Sequence, residues 1–135
     1  MKTETRIFAI SNHDGILLVN SCRGLNANKW DLPSGEIRPT EKPAEALRRI
    51  VLSETGYHVH GVSLHDVWTH RFSGAEDFFQ IGIIYWVSLI GGVPEKLRSE
   101  DVCEAKWFQL DNMETIVRAP FAILAASKAL TTGRR

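Results

Sequence analysis

Short apolar runs separated by polar breaks organise the start of the chain. Arg6 to Ile10 reads as a buried strand and Ile16 to Val19 as its hairpin partner. Between them Asn12-His13-Asp14-Gly15 supplies turn chemistry, since Asp-Gly tolerates the positive backbone dihedrals of a tight hairpin. Lys29 to Leu32 is a third extended piece, closed by Pro33, and a loop from Ser34 to Thr40 follows. The period then changes. Leu47, Val51 and Thr55 recur every fourth residue, which predicts a helix from about Glu41 to Thr55. Glu45 can pair with Arg48 or Arg49, Pro43 suits the first turn, and Gly56 suits a left-handed cap.

Beyond Gly56 the pattern turns extended again. From Tyr57 to Phe72, Val62, Leu64, Trp68 and Phe72 are placed on one strand face, with a bulge at Gly61. Phe78 to Ile90 is apolar at successive positions, as in a central strand covered on each side, and Gly91-Gly92 ends it. Trp107 to Leu110 is a further strand. Asp111-Asn112-Met113-Glu114 reads as a capping box opening a short helix. A last helix starts near Pro120, packs through Phe121, Leu124 and Ala125, and frays by Gly133. Strands interleaved with two substantial helices imply an α/β sandwich, not an all-β barrel.

Composition narrows the classes. The 135 residues suit a single domain over 1–135, and the 44% hydrophobic content is enough for a buried core. Sixteen basic residues balance sixteen acidic ones, so no net field draws the chain to nucleic acid or an anionic membrane. The longest mostly apolar run, Phe78 to Val93, is too short and interrupted for a span. The segment from Met1 to Arg6 lacks signal-peptide organisation, and two cysteines, Cys22 and Cys103, read as ordinary thiols. A cytoplasmic location is the expectation.

The chemically informative stretch is Trp30-Asp31-Leu32-Pro33-Ser34-Gly35-Glu36, followed by Glu41, Arg49, Val51, Glu54 and Gly56. Its spacing resembles the Nudix box, and Glu104 to Asp111 is similar to the family's later Trp-containing strand. The resemblance implies a Nudix-type α/β/α sandwich, with a mixed sheet between helices. It further implies that Arg49 and Glu41 join loop to helix, alongside Gly35 and Gly56 as structural members of the motif. In such a box, carboxylates one helical turn apart cage a hard divalent cation that polarises a pyrophosphate and orients water.

Here that cage is depleted. Ile50 and Ser53 stand where the family carries glutamates, Ser34 replaces a glycine, and Arg38 and Thr40 replace a frequent Glu and Gly. Glu54 remains as the expected ligand of Mg2+ or Mn2+, with Asp101 and Ser34 completing the site beside substrate phosphates. Glu100, Asp101 and Glu104 are the candidates, with Glu54, for the catalytic group, while Arg23, Arg38 and His70 are candidates for substrate contacts. Val67-Trp68-Thr69-His70 and Phe72-Ser73-Gly74 are also similar to GDP-mannose mannosyl hydrolases. The His those enzymes carry before the late Trp has no counterpart in Asp101-Val102-Cys103.

The leading expectation is therefore a metal-dependent hydrolase of a nucleoside diphosphate linked to another moiety, such as a nucleotide sugar. The alternative is a nucleotide- or sugar-nucleotide-binding module that has lost catalysis. A third is a regulatory or protein-interaction domain. The resemblance also implies a homodimer as an expected assembly.

Overall fold

The computed structural model describes residues 1–11, 15–22, 28–74, 77–91, 102–109 and 118–125, with Cys103 described by its backbone alone. Along the chain come β1 (Lys2–Ile10), β2 (Ile16–Ser21), β3 (Trp30–Asp31), β4 (Ser34–Gly35), α1 (Pro43–Thr55), β5 (His58–Phe72), β6 (Phe78–Ile90) and β7 (Val102–Phe108). Residues 120–125 are helical. Two sheets result. One is four-stranded and mixed, in the order β4-β1-β6-β5; the other is three-stranded, in the order β3-β2-β7.

β1 lies parallel to β6, and its other edge takes β4 antiparallel. This corrects the hairpin expected between β1 and β2. Ile7, Phe8, Ala9 and Ile10 are all buried, so β1 needs cover on both faces, as interior strands do. Its two edges are already occupied, and β2 pairs instead with β3 and β7 in the second sheet. β6 is central as expected, lying between β1 and β5.

Successive residues of β1 point to opposite faces, which gives two cores. On one face Ile7 and Ala9 meet Ala46, Leu47, Ile50 and Val51 of α1, with Val59 and Val87. On the other, Phe8 and Ile10 meet Ile84, Trp68 and Trp86 of the same sheet, Ile16 and Leu18 of the second sheet, and Phe121, Ala122 and Ala125. The mixed sheet is thus covered by α1 on one side and by the second sheet together with the 120–125 helix on the other. Leu124, expected to pack, stays 37% exposed, and Ala122 takes a fully buried position.

α1 begins at Pro43 because Glu41 is engaged in the preceding loop; Glu45 accepts from the Lys42 backbone N–H at 3.2 Å. It ends as expected at Gly56, whose φ of 79° is left-handed and whose N–H donates to the Leu52 carbonyl. β5 departs from simple alternation. Register shifts at Val59/Gly61 and Leu64/Asp66 place Val62 opposite Val87 on the α1 side, and Trp68 opposite Gly82 on the inter-sheet side. The bulge at Gly61 is the one expected. The second bulge, unmarked by glycine, separates Val62 and Leu64 from the face shared by Trp68 and Phe72.

β7 begins at Val102, well before the expected Trp107, and the expected helix at 111–114 lies outside the described residues. Cys22 is exposed and disulfide-bonded, which corrects its reading as a free thiol. Among the described residues no helix is long and apolar enough to cross a membrane.

The inter-sheet core depends on the missing side chain at Gly82. A Cβ there would stand 2.5 Å from Phe121 Cε2 and 2.9 Å from Phe8 Cε1. Those rings meet edge to face with centroids 4.5 Å apart. Gly82→Ala should therefore cost roughly 1–3 kcal/mol through overpacking. Urea denaturation checks this, and an unchanged midpoint would mean the two rings relax freely.

Candidate ligand site at the loop–helix junction

β4 is only two residues long, and its two side-chain positions face different surroundings. Ser34 is opposite Phe8 and Gly35 opposite Ile7, so Ser34 shares the inter-sheet side of β1 while Gly35 shares the α1 side. A Cβ on Gly35 would lie 2.8 Å from Cδ1 and 2.9 Å from Cγ1 of Ile50. Ile50 is 3% exposed and belongs to the α1 core. A helical position expected to carry a metal-binding carboxylate is thus closed by aliphatic packing.

One turn further along α1, Glu54 reaches the same strand. Its Oε1 accepts the Ser34 backbone N–H at 3.2 Å. Glu54 and Ser34, two of the three expected metal ligands, are therefore brought together. The third, Asp101, and the candidate Glu100 lie outside the described residues, as does Arg23.

The loop between β4 and α1 is held by Glu41 and Arg49 in the structural role expected of them. Arg49 donates from Nε to Glu41 Oε2 at 2.7 Å and from Nη2 to Glu41 Oε1 at 2.8 Å, and its Nη2 also reaches the Glu36 carbonyl at 2.8 Å. The Arg38 backbone N–H donates to Glu41 Oε1 at 2.9 Å. Hydrogen bonds from Arg49 and then from Arg38 hold the Glu41 carboxyl down to about 2. The Arg38 residue itself is exposed, so within this loop its backbone does the holding.

A second polar group lies on the inter-sheet face, where the apolar core ends. His70, Gln80 and Glu4 are aligned across β5, β6 and β1, and Gln80 Nε2 donates to Glu4 Oε1 at 2.9 Å. His70 is half-buried, with its ring 4.6 Å from that of Phe72. Arg6, the next residue on that face of β1, donates from Nη2 to Ser34 Oγ at 3.1 Å and holds its Nε 3.9 Å from Glu4 Oε1. Asp31 is also buried, and its Oδ1 accepts the Leu32 backbone N–H at 2.7 Å. Burial pushes the Asp31 carboxyl up to about 7, against the lowering effects of that hydrogen bond and of Arg6.

Arg6, Glu4 and Gln80 were missed by sequence reasoning. In a one-dimensional pattern Arg6 merely opens an apolar strand, and only the parallel pairing of β1 with β6 sets these groups together. Glu104, expected as a catalytic candidate, is exposed on β7 opposite Asn20, in the sheet that does not contain β4.

Do these residues suit a divalent cation? Magnesium and manganese require a shell of oxygens in near-octahedral order. Among the described residues no group of three His, Cys, Asp or Glu is placed to hold a metal ion. One Glu54 oxygen already receives the Ser34 amide, and Ile50 closes the adjacent helical position. The described donor set does not fit a resident metal cage.

Comparison with known proteins agrees with this fold. The NUDIX domain model matches residues 1–126, so the chain belongs to the Nudix family. A human 8-oxo-dGDP phosphatase is 26% identical over 112 residues, covering 82% of this chain and 33% of the human protein. The chain thus spans about a third of that relative's length. The crystal structure of a MutT NUDIX hydrolase from Burkholderia pseudomallei superposes with a TM-score of 0.78 at 22% identity, covering 94% of this chain and 98% of that one. The NUDIX domain of Shewanella oneidensis NrtR, crystallised with ADP ribose, also gives 0.78, at 16% identity and with 98% and 89% of the two chains covered. Both likenesses show the fold. The family is one of hydrolases that generally use divalent metals.

The buried Asp31 makes a signed prediction. Its folded-state pKa is raised, so its contribution favours folding most below its unfolded value of 3.8 and is lost as pH rises towards about 7. Asp31→Asn keeps the oxygen facing Leu32 and removes the ionisation. The variant should gain up to a few kcal/mol relative to the native chain between pH 4 and pH 8. Denaturant titration at both pH values checks this; equal changes in the two proteins would show that Asp31 ionises without penalty.

Proposed function

We propose that this domain binds a nucleoside diphosphate carrying a further group, and that its site serves ligand retention instead of hydrolysis at a resident metal. The observation that carries this reading is the packing of Ile50 against Gly35, which occupies with hydrocarbon a helical position where a charged ligand would sit. The depleted carboxylate set on α1 supports it further. So does the ADP ribose bound by the NrtR domain of similar fold, which illustrates a ligand of this class on this scaffold.

The chain's own residues suggest how such binding works. The Glu41–Arg49 clamp fixes the loop before α1, so Ser34 and Gly35 are positioned before a ligand arrives. Preorganisation of this kind lowers the ordering cost of binding. His70, Gln80 and Glu4 offer donors and acceptors along the inter-sheet face for the polar edges of the ligand.

A second reading, a Nudix hydrolase, is favoured by one specific observation: Glu54 is retained and held at Ser34. The two separate experimentally. ADP-ribose, nucleoside diphosphates and nucleotide sugars are screened for thermal stabilisation, and for phosphate, nucleotide or sugar release with magnesium and with manganese. The expected result is ligand-dependent stabilisation, about 2.7 kcal/mol at a hundredfold excess over Kd, with product release at the level of a protein-free control. Turnover that disappears in Glu54→Gln would establish the hydrolase and overturn the binding-only reading.

A further inference from the structure

We infer that Arg6 is the residue that holds the ligand's diphosphate, from the inter-sheet side of Ser34. The inference rests on the binding function proposed above and assigns the cation that function needs. It takes anion recognition away from the α1 face of β4, where Ile50 now packs, to the opposite face of the same short strand.

The side chains of β1 alternate between two faces. Glu4, Arg6, Phe8 and Ile10 share one face; Phe8 and Ile10 are buried in the inter-sheet core, and Arg6 begins where that core ends. The Arg6 side chain is only 28% exposed. Withdrawing a guanidinium from water is costly unless charge and hydrogen bonds compensate. Its partners here use only part of its hydrogen-bonding capacity. Ser34 Oγ accepts at 3.1 Å but is neutral. The Glu4 oxygen lies 3.9 Å from Nε, beyond hydrogen-bond length, and that same oxygen receives Gln80. Asp31 is the other nearby acid, and burial raises its carboxyl into the neutral range, where a share of it carries no charge.

The result is a partly enclosed guanidinium, loosely paired with Glu4 and hydrogen-bonded to Ser34 Oγ, with fork positions left for a further acceptor, fixed at the strand that adjoins Glu54. A diphosphate supplies the missing complement: two or more anionic oxygens in the fork geometry that guanidinium matches best. Ser34 links the two halves of the site. Its amide is held by Glu54 and its hydroxyl by Arg6, so phosphate oxygens arriving at Arg6 meet a fixed backbone, with the Glu54 carboxylate directed at the amide on the strand's edge. On this arrangement a guanidinium stands in the electrostatic role that the family generally gives to a divalent metal.

The test is calorimetric titration of the whole chain with ADP-ribose and with adenosine, in EDTA, for the wild type, Arg6→Gln and Arg6→Lys. Wild type should bind ADP-ribose without added metal. Arg6→Gln should lose roughly ten- to a hundredfold in ADP-ribose affinity, the range for a charge-assisted contact. Adenosine affinity should stay within about twofold, and the dependence of ADP-ribose binding on salt should become shallower. Arg6→Lys, which keeps the charge and lacks the fork, should fall between, and it reports if Arg6→Gln fails to fold.

ADP-ribose affinity that is unchanged in both variants, or that in wild type appears only with magnesium, overturns the assignment and leaves the binding function intact. A wild-type chain that takes up no ADP-ribose, nucleoside diphosphate or nucleotide sugar under either condition removes the binding function, and this assignment with it.

Discussion

Ile50 fills the hollow beneath Gly35, and the rest of the site is arranged around that contact. β4 consists of two residues, so each of its faces is one side chain wide. On the α1 face glycine lets Ile50 pack directly on the strand, since a Cβ there would force the Ile50 side chain to shift. The helix thereby approaches the sheet closely enough for Glu54 to reach the Ser34 amide. A carboxylate in place of Ile50 would be buried, and would need a cation or several donors to offset its desolvation. With isoleucine the junction is packed through dispersion and burial.

The same contact fixes where polar chemistry can occur. The α1 side of β1 is apolar at Ile7 and Ala9, so charge is excluded there. On the inter-sheet side, Glu4, Arg6, Gln80 and His70 gather where Phe8 and Ile84 end. The Glu41–Arg49 clamp keeps the intervening loop from drifting, and its carboxyl is held so far below the usual range that the clamp survives mild acid. One strand with two unlike faces thus separates a dry structural joint from a polar surface.

Much of the fold was legible because local signals agreed. The four-residue period through Leu47 and Val51, with Gly56 behind it, marks α1, and the unbroken apolar run to Ile90 marks β6 as central. Pairing partners were not legible. The Asn12 to Gly15 segment carries good hairpin chemistry, yet the two-sided burial of β1 decides its neighbours, and those come from distant parts of the chain. The second bulge in β5 was likewise hidden, since nothing in Leu64-His65-Asp66 marks a change of face. At the site, the loss of carboxylates could be read directly, as could the Glu41–Arg49 pair. Arg6 could not: its partners are Ser34, twenty-eight residues away in sequence, and Glu4, which the strand alternation alone does not mark as a site.

On the proposed reading, this Nudix domain keeps its loop–helix junction intact without a bound metal. Titrating manganese into the ligand-free protein while following the electron paramagnetic resonance of free Mn2+ addresses it most directly. The free-ion signal should rise in step with added manganese across the micromolar range. Stoichiometric loss of that signal, restored on replacing Glu54 by Gln, would show a resident ion at the junction and contradict it.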